Sequence, residues 1–166
     1  MIEAPLIEAR VRILFVDDDG LVLSSLKRSL RGYPWDVHFC GDPTKARQMV
    51  EELRIDVVVS DQAMPGMSGL ELLASLPGDD IVRVMMTGHG DHTLALRAIN
   101  EGHVFRFIDK PWNDAALKVT LQDAANLALR RRQDAQERRA ALTGRGSVRM
   151  HRDAAQSLFD LGSPAK

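Results

Sequence analysis

The chain has 166 residues, one cysteine (Cys40) and a formal net charge of −1: enough length for one full core, and no basis for an intramolecular disulfide framework, which fits a reducing compartment such as the cytoplasm. No apolar run approaches the ~20 residues that span a bilayer, and residues 1–10, with Glu3, Pro5 and Glu8, read as a leader without the basic start and apolar stretch of a signal peptide. Residues 1–129 hold 13 Lys/Arg against 19 Asp/Glu and residues 130–166 hold 9 against 4, so an acidic body carries a basic tail.

Val11 to Val16, VRILFV, reads as a first strand running into Asp17, Asp18, Asp19 and Gly20. From Leu21 the spacing turns helical, with Val22, Leu23, Leu26 and Leu30 on one face, up to Gly32. Trp35 to Cys40 is a second strand. Asp42 followed by Pro43 starts a helix well, since Pro suits the first helical position, and Ala46, Met49, Val50 and Leu53 supply its buried face.

The stretch Ile55 to Gly69, IDVVVSDQAMPGMSG, is the centre of the chain. Val57, Val58 and Val59 form an unbroken β-branched run, which suits a strand buried on both faces. Asp61 then stands at that strand's carboxyl end, where ligands collect in open parallel sheets. An Asp before a Pro/Gly loop can equally cap a turn or the next helix. Ser68 to Leu76 reads as a third helix and Pro77-Gly78 ends it.

Ile81 to Met86 is a fourth strand stopping at Thr87-Gly88. Asp91 to Glu101 is a fourth helix with Leu94, Ala95, Ala98 and Ile99 as its apolar face, and Val104 to Ile108 is a fifth strand stopping at Asp109, Lys110 and Pro111. The last helix starts near Asn113 or Asp114 and is expected to stop after Leu142, at Thr143-Gly144. Its apolar face (Leu117, Leu121, Ala124, Ala128) ends by Leu129; residues 130–144 then read as an extended helix or linker. Residues 145–166, with one amphipathic candidate from Val148 to Leu161, read as a flexible tail. Alternating strands and helices with short connections predict an α/β fold, a doubly wound five-stranded parallel sheet with right-handed crossovers and an extended C-terminal helix.

Four strand ends thereby meet on one sheet edge, bringing Asp17, Asp18, Asp61, Thr87 and Lys110 together. Crowded carboxylates repel, and one would stay protonated unless a cation were present. A hard divalent ion with oxygen ligands, Mg²⁺ above all, resolves that conflict and leaves positions for phosphoryl oxygens. A lysine and a hydroxyl opposite would bind the remaining oxygens, and aspartate is an established covalent nucleophile toward phosphorus.

The stretches VRILFVDDD, SDQAMPGMSGLELL, VMMTGHG and FRFIDKPW, at this spacing, resemble the receiver domain of two-component response regulators over roughly Val11 to Leu129. The resemblance implies a flavodoxin-like sheet in order 2-1-3-4-5 and a phosphoacceptor switch. It implies Asp61 as phosphoacceptor, Asp18 as a direct Mg²⁺ ligand, Asp17 as a second acid acting largely through water, and the backbone carbonyl of Ala63 as a further ligand. Thr87 and Lys110 would bind phosphoryl oxygens, and Lys110-Pro111 would be cis. Phe107 stands where the family's switch aromatic is often tyrosine; a plain core phenylalanine is the other reading.

A histidine kinase or phosphotransfer protein is the implied donor, and slow autophosphorylation or autodephosphorylation the most enzyme activity implied. The output expected is a changed surface around Ala95, Ile99, Phe107 and the last helix, with homodimerisation through that face or through the extended helix. The QAMPGMSG loop and KPW ending also look like receivers found ahead of HD-type cyclic-dinucleotide phosphodiesterases. A haloacid dehalogenase-like phosphatase is the alternative, with Asp17 as nucleophile in a DxDG-like opening, but it lacks the later acidic pair and leaves Asp61 without a role. A receiver detached from a longer protein with its own output domain is a further alternative. His89, Asp91 and His92 make a loop or helix cap a better reading than a metal site. No helix-turn-helix follows, so direct DNA binding is disfavoured, and the arginine-rich stretch, interleaved with Asp134 and Glu137, reads as a solvated helix.

Overall fold

The computed structural model describes residues 10–101 and 103–159, with side chains described as far as Thr143. The expected leader before Arg10 and the end of the expected tail, residues 160–166, lie outside the described residues. The chain divides into two compact units, Met1–Leu129 and Arg130–Lys166.

In the first unit, β1 (Arg12–Val16), β2 (Asp36–Cys40), β3 (Val57–Asp61), β4 (Val82–Thr87) and β5 (Arg106–Asp109) alternate with α1 (Gly20–Ser29), α2 (Pro43–Glu52), α3 (Gly69–Ser75) and α4 (His92–Asn100), and α5 (Asp114–Phe159) follows. The strands form one sheet in the order β2-β1-β3-β4-β5, every pair parallel, as the α/β pattern predicted. The fifth strand starts at Arg106 rather than Val104, whose N–H instead bonds Ala98 O behind the fourth helix at 3.2 Å.

Period-two alternation divides the strand residues between two cores. Ile13, Phe15, Val57, Val59 and Val84 pack with Leu26 of α1 and Leu117, Leu121 and Ala124 of α5. Leu14, Val16, Val58 and Met85 pack on the other face with Ala46 and Val50 of α2, Leu72 and Leu73 of α3, and Ala95 and Ala98 of α4. Each large side chain so buried contributes about 1.5–3 kcal/mol, and β3, buried along its whole length, is the centre of both layers.

Local chemistry fixes the helix starts. Asp19 and Asp42 accept from the N–H groups of Leu21 and Thr44 at the heads of α1 and α2. Ser68 and Glu71 form a capping box on α3. The other end of α3 is held by Arg83 on β4. Its guanidinium donates to the carbonyls of Leu73, Leu76, Gly78 and Ile81 at 2.8–2.9 Å; the first two are acceptors that a helix C-terminus leaves open, and the others belong to the connection to β4.

From Arg130 the second unit continues as helical backbone to Phe159. The expected stop at Thr143-Gly144 is therefore corrected: a single glycine weakens a helix by about 1 kcal/mol relative to alanine without ending it. Thr143 Oγ donates back to Arg139 O at 2.9 Å, a bond compatible with helical backbone. Among the described residues no helix is long and apolar enough to cross a membrane.

Candidate functional site

Register brings the expected residues to one edge. Val16 is level with Ser60, Asp61 with Met86, and Thr87 with Asp109, so the residues ending or following β1, β3, β4 and β5 (Asp17, Asp61, Thr87, Lys110) emerge side by side at the carboxyl ends of the strands. Asp17, Asp18 and Asp61 each offer a carboxylate oxygen, all within 4.8 Å of one another. Asp17 and Asp61 are buried while Asp18 is exposed.

Lys110 bridges this cluster. Its Nζ is 2.6 Å from Asp17 Oδ2 and 3.1 Å from Asp61 Oδ1, and its backbone N–H donates to Thr87 O at 2.7 Å. The other Asp17 oxygen, Oδ1, accepts from the N–H of Asp19 at 2.9 Å. The Lys110-Pro111 peptide is cis, as expected from the resemblance.

Burial pushes the Asp61 pKa above its ordinary value; Lys110 pulls it back, and the charges of Asp17 and Asp18 push it up again. For Lys110, burial alone would lower the pKa, but the bonds to Asp17 and Asp61 outweigh it and the net shift is upward. One ammonium is thus shared by a cluster with more negative charge than it can balance, and a hard cation answers that imbalance. Three carboxylates within reach of one point fit Mg²⁺ in donor type.

Thr87 is 1 % exposed and its hydroxyl has no hydrogen-bond partner among the described residues. A buried hydroxyl without an acceptor is costly, and here it stands at the same strand edge as the carboxylates. Ala63, two residues beyond Asp61, is exposed. Gly69 starts α3 directly against β3, where a Cβ would overlap the carbonyl oxygen of Asp61.

Other expectations are resolved by packing. Phe107 is half-buried against the core on the α2–α4 face, and its ring lies 5.5 Å from that of His92. His92 Nε2 is 2.6 Å from Asp109 Oδ1, a pairing that the sequence reading missed: the partners are 17 residues apart and no spacing rule joins them. His89 and Asp91 do not join His92 in any metal-ligand cluster among the described residues. Ala95 is buried with Ala98 against the sheet, so it cannot carry an output surface; the exposed apolar residue of α4 is Leu96, at 54 %. Trp112 packs against the core on the α1 and α5 face.

The comparisons with known proteins agree with this fold. A family model described as response regulator receiver domain matches residues 13–122. The phosphoglycerate transport system transcriptional regulatory protein PgtA of Salmonella typhimurium is 33% identical over 114 residues, covering 68% of this chain and 27% of PgtA. The DNA-binding response regulator MtrA of Mycobacterium tuberculosis is 35% identical over 108 residues, covering 65% of this chain and 47% of MtrA. A solved structure, the signal receiver domain of an HD domain-containing protein from Pseudomonas fluorescens Pf-5, is 36% identical with a TM-score of 0.64 and covers 69% of this chain and 94% of that one. The chain spans about a quarter to a half of the length of these curated regulators. With the match and the sheet order in agreement, the chain belongs to the response regulator receiver domain family of two-component signal transduction.

Proposed function

We propose that the chain is a Mg²⁺-dependent phosphoacceptor switch acting in the cytoplasm, which takes a phosphoryl group onto Asp61 from a histidine kinase or phosphotransfer protein. In this reading Asp17, Asp18, Asp61 and the carbonyl of Ala63 hold the ion, Thr87 and Lys110 bind the phosphoryl oxygens, and Thr87 and Phe107 form the switch. The observation that carries it is the bridging ammonium of Lys110 between Asp17 and Asp61, beside the buried, unpartnered hydroxyl of Thr87.

A carboxylate oxygen of Asp61 attacks phosphorus, and the bond from phosphorus to the donor's imidazole nitrogen breaks. The electron pair leaves with that nitrogen, which takes a proton from solvent, and Asp61 carries an acyl phosphate. Bound Mg²⁺ supplies charge neutralisation for the phosphoryl oxygens. Lys110, freed from Asp61 by the new bond, turns its donors to the phosphoryl group, and Thr87 donates to it. The new acceptor oxygens bias the β4–α4 region, and the surface of Leu96, Phe107 and α5 changes as a result. A cavity of about 200 Å³ lined by Phe107, Pro111, Trp112, Asn113 and Ala116 belongs to that surface, and homodimerisation through it is part of the proposal.

The division of the chain at Leu129 supports reading 11–129 as the switch and the helix from Arg130 as a linker. DNA binding is in the name of MtrA, of which this chain matches less than half, and is not carried over. The phosphatase alternative needs Asp17 as a free nucleophile, yet both its oxygens are engaged, by Lys110 and the Asp19 N–H.

The test is intact mass after incubation with Mg²⁺ and acetyl phosphate, for the wild type, Asp61→Asn and Asp17→Asn. A hydroxylamine-labile adduct that needs Mg²⁺ and is absent from Asp61→Asn is the expected result. An adduct retained in Asp61→Asn and lost in Asp17→Asn would instead favour the phosphatase.

A further inference from the structure

Gln62 follows Asp61 directly and closes the loop to α3 at both ends. Its N–H donates to Met86 O on β4 at 3.0 Å, and its carbonyl accepts from the Gly69 N–H at 3.0 Å. Its side-chain Oε1 accepts from the Leu70 N–H at 2.9 Å. Only an oxygen can accept from that N–H, which fixes the orientation of the amide.

The first N–H groups of a helix have no intrahelical acceptors, and here each of the first three has been assigned one. Gly69 bonds the Gln62 carbonyl, Leu70 the Gln62 amide oxygen, and Glu71 the Ser68 hydroxyl. The Ser68 capping box would start the helix by itself. Gln62 is 9 % exposed, and its amide adds a bond that crosses eight residues of sequence and ties the head of α3 to the residue beside Asp61. The missing Cβ of Gly69 is what lets the helix come close enough for it. Ala63 lies immediately after this clamp and is exposed.

We propose that Gln62 is a positioning residue for the divalent-cation site, its amide holding the Ala63 carbonyl in register with Asp61. The inference rests on the reading of Asp17, Asp18, Asp61 and Ala63 as cation ligands. An apolar residue at 62 would fill the same space and keep the main-chain bonds, but it would release the Leu70 N–H and loosen the head of α3 against the residue beside Asp61.

The test is binding of Mn²⁺ alone, with no phosphoryl donor, followed by the loss of its free-ion electron paramagnetic resonance signal. Gln62→Met, which keeps length and removes the acceptor, is expected to bind roughly ten-fold more weakly, as for loss of other groups that orient metal ligands. Gln62→Asn, which keeps an amide but falls a methylene short of Leu70, is expected to weaken binding likewise and serves if the methionine variant fails to fold. Gln62→Glu retains an oxygen acceptor and should keep at least the wild-type affinity. Arg83→Leu, which loosens the opposite end of α3, should leave affinity unchanged. Wild-type affinity in both Gln62→Met and Gln62→Asn, or an equal loss in Arg83→Leu, would overturn the proposal. Absence of Mn²⁺ binding by the wild type would overturn the reading of the cation ligands as well, so the two failures are distinct.

Discussion

The ammonium of Lys110 lies closer to Asp17 than to Asp61, 2.6 Å against 3.1 Å. Asp17 is 1 % exposed, so in the absence of a metal this lysine is its main compensation for lost hydration. Removing one partner of a buried pair leaves the other uncompensated, at a cost of about 3–5 kcal/mol. Lys110→Met should therefore unfold at markedly lower urea concentration than the wild type in EDTA, and recover most of the difference in Mg²⁺. Equal stability of the two proteins in EDTA would contradict this account.

The pH dependence of Asp61 has a definite sign. Burial raises its pKa above the ordinary value of 3.8, ahead of the opposing pull of Lys110. A carboxyl raised on folding contributes stability that is complete below 3.8 and is lost as pH rises through its folded-state value. Asp61→Asn, neutral throughout, should gain on the wild type in metal-free buffer as pH rises from below 3.8 toward neutrality. Paired urea titrations across that range would show it, and a gap that stays constant or shrinks with rising pH would refute it.

Arg83 is a stability residue rather than a residue of the site. Its guanidinium serves four carbonyls, those of Leu73 and Leu76 at the end of α3 and those of Gly78 and Ile81 in the connection to β4, and hydrogen bonds to charged groups are worth about 1.5–3 kcal/mol each in net terms. Arg83→Leu should cost roughly 2–3 kcal/mol, since water replaces part of what is lost. A loss below half a kilocalorie would mean that these carbonyls find solvent unaided.

Two glycines near the site do different work. Gly69 is needed for space, since a Cβ there would overlap the Asp61 carbonyl. Gly66 is needed for its backbone, at φ +79° with open space around it. Gly69→Ala should cost about 1–3 kcal/mol, as overpacking does, and displace α3, whereas Gly66→Ala should cost about 1–2 kcal/mol through left-handed strain and leave α3 in place. Amide chemical shifts of residues 69–75 separate the two cases.

Much of the fold was legible because the strands other than β2 are short apolar runs that end at a polar residue. The periodic patterns located all five strands and helices, and the polar endings named the residues that register then aligned: Asp17, Asp61, Thr87 and Lys110. What was not legible depends on contacts between segments. Nothing in the spacing shows that Arg83, inside an apolar strand, wraps onto the preceding helix, or that His92 meets Asp109. Gln62 looked like one more letter of a loop, since an amide signals its role only through the N–H it reaches. The Ala95 error has the same origin. Helical spacing placed it correctly on the apolar face of α4, but that face meets the sheet, and the outward position belongs to Leu96. Glycine is a graded penalty rather than a stop, so α5 continues past Gly144.

The hydroxyl of Thr87 has one more implication, for how the switch can be watched. Its donor is buried without an acceptor among the described residues, so any group that supplies one on the sheet edge is bound in part by relieving that deficit. Occupancy of the site should then register as heat resistance: a beryllium fluoride adduct in Mg²⁺ should raise the melting temperature of the wild type, and raise it less in Thr87→Val, where there is no hydroxyl to satisfy. Melting curves alone would thus report whether the far side of the site takes part, without following any downstream partner.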